Sequence, residues 1–169
     1  MDQKAPEIIF TLLIASGILS TLGVLKFSRS QFRREFRSTA MLLASMVAVG
    51  ATLGSLYFSE IREFLPCEWC WYQRIAMYPL AVLLPIATFR RDRKIIPYAL
   101  VLTTAGAGLS IYHYQLQAFP SQGTSCALDA SCTYRWIEVF GFVSIPMLAL
   151  GSFALIGILL LATPRPWKG

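Results

Sequence analysis

Cys67 and Cys70 stand three residues apart in PCEWCWYQR (66–74), with Gln73 and Arg74 three and four residues beyond Cys70. Cysteines at C-x-x-C spacing can close a disulfide across one turn, exchange with other thiols or hold a metal ion. On a helix, Cys70, Gln73 and Arg74 share a face, so the guanidinium lies one turn deeper than the sulfur. Pro66 suits the first helical turn, where a missing N–H costs nothing. Cys67 then falls at the positive end of the helix, which stabilises a thiolate. Glu68 opposes this unless it faces water. A second pair, Cys126 and Cys132, encloses ALDAS within QLQAFPSQGTSCALDASCTYRWIE. Connections of that length without periodic structure are usually functional or disordered, and a small exposed disulfide there is labile if strained.

The elements that must position these residues are apolar. Hydrophobic residues make up 56% of the 169 and charged ones 14%, a balance that indicates an integral membrane protein. Five stretches are long enough to span a bilayer as helices: 8–25, 39–58, 71–89, 95–114 and 139–162. The third and fourth are separated only by RRDRK and form a tight hairpin. Gly50 and Gly54 in G-x-x-x-G, and AGAG at 105–108, offer close helix approach. Pro79, Pro85 and Pro146 predict kinks within spans. Trp69, Trp71, Tyr72 and Tyr78 suit either an interfacial belt or the walls around a flat apolar molecule.

Charge orients the spans. Eleven of the fifteen basic residues lie in KFSRSQFRREFR, RRDRK and the C-terminal tail, three segments that share one side. That side is the cytoplasm. The N-terminus and all four cysteines fall on the outer side, where disulfides persist. The net charge of +6 is therefore a matter of topology, and no nucleic-acid partner is expected. No glycine-rich phosphate loop is present. A single histidine and the lack of H-x-x-x-H speak against a histidine-based metal site, and no metal is expected.

A buried arginine in a span is costly and implies a function. Its expected partner is a Cys70 thiolate or a reduced acceptor. Two cysteine pairs on an oxidising face suggest an exchange chain that moves two electrons. Structural disulfides lie below about −300 mV, whereas a strong disulfide donor sits near −120 mV, a gap of roughly 8 kcal/mol for two electrons. Re-oxidising such a donor therefore needs a stronger acceptor. An apolar two-electron carrier in the bilayer, a quinone, fits a cysteine pair at its edge, and no haem or iron–sulfur ligand set is visible.

The stretch ATLGSLYFSEIREFLPCEWCWYQRIAMYPL, the short basic turn, the two-cysteine loop and WIEVFGFVSIPMLAL resemble the DsbB/BdbC disulfide-bond formation proteins. The likeness is closest to the BdbC-like branch and covers about residues 39 to 162. It implies an all-α, polytopic membrane protein: a four-helix core over 39–169, preceded by an additional N-terminal transmembrane helix and basic loop over 1–38. It implies an enzyme of the cell membrane that re-oxidises a thioredoxin-fold partner of the DsbA/BdbD type and passes the electrons to menaquinone or ubiquinone. By similarity Cys67 and Cys70 are the quinone-coupled pair, with the Cys70 thiolate facing the quinone and Arg74 binding it. Cys126 accepts attack from the partner, and Cys132, once released, attacks Cys67. Gln73, on the Cys70 face, and His113, at the outer end of the fourth span, are further quinone-binding candidates. Span 8–25 has no counterpart in the four-helix core, and the Cys126–Cys132 loop is shorter than in the best-studied DsbB proteins. The vitamin K epoxide reductase-like group shares the four-cysteine logic, but its quinone-coupled C-x-x-C comes after the loop pair. A structural or zinc-binding membrane protein is the non-enzymatic alternative.

Overall fold

The computed structural model describes residues 30–120, 132–138, 140 and 142–163, with side chains from Thr39 onward. The expected span at 8–25, Cys126 and the C-terminal tail lie outside the described residues. Four helices carry the described chain: α1 (Ser30–Leu56), α2 (Glu68–Phe89), α3 (Ile96–Ala118) and α4 (Ile145–Ala162). α1 widens into a π turn over Tyr57–Ile61. Each helix packs on its neighbour in sequence and α4 closes on α1, giving a four-helix bundle.

Close approach in the bundle comes from small residues on a helical repeat. Ala40, Ala44 and Ala48 form one buried stripe of α1, packed with Leu80 and Leu84 of α2 and Ile156 and Leu160 of α4. Hydroxyl groups tie the same helices: Ser45 Oγ and Thr88 Oγ1 share a 2.8 Å hydrogen bond, and both also reach the Met41 carbonyl. Of the glycines singled out by pattern, Gly106 does the packing. A Cβ there would lie 2.3 Å from the Phe153 ring, while one on Gly50 or Gly108 would meet nothing within 4 Å.

The α2–α3 connection is as tight as RRDRK implies. Asp92 N–H donates to the Ala87 carbonyl and Arg91 N–H to that of Thr88, the double closure of a Schellman cap. Arg91 adopts the left-handed conformation this cap needs, with φ 53°. Asp92 Oδ1 then accepts from the Lys94 N–H.

Three boundaries differ from the apolar runs. α1 starts at Ser30, because arginine and glutamate in RREFR are good helix formers and continue the helix into the basic segment. α2 starts at Glu68, with Cys67 as its extended N-cap (ψ 172°), so Pro66 precedes the helix and does not open it. α4 starts at Ile145, not 139, which moves Pro146 from an expected kink to the first turn, where proline is free of cost. Pro79 and Pro85 do lie inside α2.

The outer surface is apolar. Met46, Ile75, Val82, Val101, Ile111 and Leu161, drawn from all four helices, are each more than half exposed. Thr39–Ile61 and α4 are long and apolar enough to cross a membrane, with mean hydropathy 1.7 and 2.4. α2 and α3 carry the buried polar residues Gln73, Arg74, Ser110, His113 and Gln117.

Candidate functional site

The N-terminal turn of α2 and the C-terminal end of α3 meet at the cysteines. Cys67 is buried and Cys70 half-buried, both as free thiols, with their sulfurs 3.2 Å apart. Glu68, between them, is exposed and accepts a 2.7 Å hydrogen bond from the Tyr72 hydroxyl, so it points away from the couple. His113 of α3 is buried and brings Nε2 to 3.5 Å from the Cys67 sulfur. On the other side of the ring, Gln73 Nε2 lies 3.3 Å from Nδ1. An amide NH₂ can only donate, so Nδ1 accepts and Nε2–H points at Cys67. The Cys67 thiol, at the N-cap ahead of the apolar segment, is lowered from 9.0 to about 4. The Cys70 thiol donating to its sulfur is the main cause; burial pushes the other way, and the hydrogen bond from His113 lowers it further.

Cys70 also borders a second space. It lines an apolar cavity of about 100 Å³ between α1, α2 and α4. Gln73, Arg74, Met77 and Tyr78 continue the Cys70 face into it, and Leu148, Ala149 and Phe153 of α4 form the far wall. Phe58, Phe64 and Trp136 stack over one end, with centroid spacings of 5.9 and 5.1 Å.

Arg74 is 8% exposed and is held by α1. Its Nε donates to Ser55 Oγ (3.0 Å) and one terminal nitrogen to the Ser55 carbonyl (3.2 Å). Ser55 precedes the π turn, a distortion that often accompanies function. The guanidinium also lies 5.1 Å from the Trp71 ring centroid. Among the described residues no carboxylate pairs with it, so its charge is met only by dipoles and a ring. One wall of an otherwise apolar cavity is thus cationic.

A second, smaller cavity lies on the Cys67 side. It is lined by Cys67, Cys70, His113, Gln117, Tyr134 and Trp136 and has room for about one water-sized occupant. Cys132 is disulfide-bonded and buried at 1% exposure, in one cluster with Cys67 and Leu116. Arg135, three residues on, donates to the Gln117 carbonyl and ties this segment to the end of α3.

Of the residues expected from sequence, Cys67, Cys70, Gln73, Arg74, His113 and Cys132 converge on one end of the bundle, while Cys126 lies outside the described residues. Cys70 lines both cavities; Gln73 lines only the larger and His113 only the smaller, and the two side chains meet between them. Ser55, Gln117 and the Tyr78 hydroxyl were not foreseen. Gln117 had a local signal, since it stands one turn beyond His113 on the same helix face. Ser55 had none.

Residues 37–163 match the family model described as disulfide bond formation protein DsbB. The chain belongs to the DsbB family. Among relatives, this DsbB-family chain is 51% identical over 113 residues to disulfide bond formation protein C of Bacillus subtilis, covering 66% of this chain and 82% of that one. It is 46% identical to probable disulfide formation protein C of Bacillus cereus, over 75% of this chain and 92% of that one. It is 44% identical to a probable disulfide formation protein of Deinococcus radiodurans, over 76% and 90%. The relatives named protein C place it in the BdbC-like branch and decide against the vitamin K epoxide reductase-like alternative. No solved structure gives a significant match.

Proposed function

We propose that this chain is a membrane thiol:quinone oxidoreductase that takes two electrons from the dithiol of a thioredoxin-fold partner of the DsbA/BdbD type. It delivers them to menaquinone or ubiquinone. One observation carries the reading: Cys70 and Arg74 line an apolar cavity, while Cys67, its partner sulfur, packs with Cys132 on the other side. Both cysteine pairs lie on the outer face of the cell membrane, with the N-terminus outside, the C-terminus cytoplasmic and the 8–25 segment as a further span.

Each exchange forms one sulfur–sulfur bond and breaks another. A partner thiolate attacks Cys126, breaking the Cys126–Cys132 bond and freeing the Cys132 thiolate. Cys132 attacks Cys67, breaking the Cys67–Cys70 bond and freeing Cys70. The partner's second thiolate displaces Cys126 and leaves the partner as a disulfide. Cys126 then attacks Cys132, restoring the loop pair and leaving Cys67 and Cys70 reduced. Closing the Cys67–Cys70 bond gives up two electrons, and two protons accompany them to the quinone.

The chain's own groups suit these steps. Nε2–H of His113 holds Cys67 as a thiolate, the good leaving group when Cys126 attacks the Cys67–Cys132 bond. Arg74 offers positive charge beside Cys70, where negative charge develops on sulfur and acceptor. Tyr78 supplies a second polar contact. Its hydroxyl is buried without a hydrogen-bond partner at the edge of the same cavity. Helical side chains lean toward the N-terminus, so Tyr78 reaches back toward the turn of Arg74. Arg74 and Tyr78 would each offer a hydrogen bond to a quinone held in this cavity.

The test is anaerobic mixing of purified protein with a reduced thioredoxin-fold partner and a soluble quinone, monitored by quinone absorbance. Quinone bleaching that requires Cys70 and Arg74 supports the reading. Oxidation of the partner with quinone untouched overturns it.

A further inference from the structure

The smaller cavity holds an arrangement that the electron-transfer chain does not use in full. The Cys67 and Cys70 sulfurs and a ring nitrogen of His113 all lie within 4.8 Å of one another. Gln117 stands beside them. It is 6% exposed and lines the same cavity; its Nε2 is committed to the Tyr134 carbonyl at 3.2 Å, and its Oε1 is buried with no partner. A buried acceptor without a donor is costly unless something else occupies the space in front of it.

We infer that the reduced couple, with His113 and Gln117, forms a redox-gated site for a divalent zinc-type cation with a two-sulfur, one-nitrogen, one-oxygen ligand set. Tetrahedral zinc, with metal–sulfur bonds of about 2.3 Å and metal–nitrogen bonds of about 2.0 Å, needs sulfurs roughly 3.8 Å apart and a sulfur–nitrogen edge near 3.5 Å. The Cys67–His113 edge is 3.5 Å already, and the sulfurs need to part by about half an ångström from 3.2 Å. Binding uses the Nε2 lone pair of His113, so the ring proton moves to Nδ1. Gln73 then turns its amide to accept that proton through Oε1, the usual outer support of a metal-bound histidine. The cation replaces the thiol protons, which leave to solvent. Closing the Cys67–Cys70 disulfide removes two of the four donors and expels the ion. Zinc thus holds the enzyme in its reduced form, as a brake released by oxidation. The site rests on the free-thiol geometry and not on the quinone reading.

The experiment uses the full chain in detergent with Cys126 and Cys132 changed to serine, so that only the couple can bind. Protein reduced with a phosphine and desalted anaerobically is given zinc chloride, and retained zinc is measured by atomic emission. About one zinc per chain is expected in the reduced form and less than about a tenth after diamide oxidation. His113→Ala should weaken binding by about 100-fold and Gln117→Leu by about tenfold, with Gln117→Glu restoring it. Gln117→Leu keeps both thiols and fills the cavity, so its failure to fold would show as loss of the thermal transition, and Gln117→Glu then carries the test. No zinc retained by the reduced chain overturns the site. So does zinc held at undiminished affinity by His113→Ala, or held equally after oxidation, since either marks an adventitious ion only.

Discussion

Of the two cysteines of one C-x-x-C motif, Cys67 opens onto one room and Cys70 onto two. Beyond Cys70 lies an apolar cavity with a single cation, Arg74, held by Ser55. On the Cys67 side lies a small polar cavity with His113, Gln117 and the buried Cys132 alongside. Three residues of sequence separate them, yet one room suits an oily electron acceptor and the other suits thiols and protons. A dithiol that mediates between water-soluble thiols and a lipid-soluble carrier needs that asymmetry. Only Cys70 borders both cavities.

The sharpest break is Cys70→Ser, which should abolish quinone reduction while the remaining Cys67 thiol still alkylates readily. Quinone bleaching and iodoacetamide labelling read the two sides separately. Next in size is Arg74→Ala. Losing a charge-assisted contact of about 1.5–3 kcal/mol should lower kcat/KM for quinone by roughly 10- to 100-fold, with Cys67 alkylation unchanged.

On the other side, His113→Ala should spare quinone KM and act on Cys67. The sign comes from the lowered thiol: Cys67 is thiolate at any pH above about 4, so its alkylation should be flat from pH 8 to 5 and fall off through pH 4. Without His113 the fall should begin at higher pH, and labelling near pH 5 should slow by about tenfold. The smallest effect belongs to Tyr78→Phe. It should raise quinone KM by about three- to tenfold and leave the quinone-free protein as stable or slightly more so, because it deletes an unpartnered buried hydroxyl. A loss of quinone-free thermal stability would instead make Tyr78 a packing residue.

Much of this was legible in the chain. The apolar runs located all four described helices, and RRDRK announced the hairpin. The i+3 and i+4 spacing alone put Gln73 and Arg74 on the Cys70 face. Boundaries were harder, because an apolar run cannot tell a span from an apolar approach to it: FGFVS before Ile145 is as hydrophobic as a helical turn of α4. Glycine patterns misled for a related reason. Gly50 and Gly106 look alike in sequence, but only Gly106 faces a ring, Phe153, from another helix. Contacts across helices, such as Ser55 to Arg74 and Gln73 to His113, leave no local trace. The polar residues that build the site lie on α2 and α3, while the two stretches apolar enough to cross a membrane by length and composition are Thr39–Ile61 and α4.

The most direct test of the divided couple is protection. In reduced protein carrying Cys126→Ser and Cys132→Ser, the alkylation rates of Cys67 and Cys70 would be measured by peptide mass spectrometry with and without a quinol, which occupies the acceptor site but cannot take electrons. The two-room account predicts that quinol slows Cys70 labelling by at least about tenfold and Cys67 labelling by less than about twofold. Equal protection of both sulfurs, or protection of Cys67 alone, would contradict it.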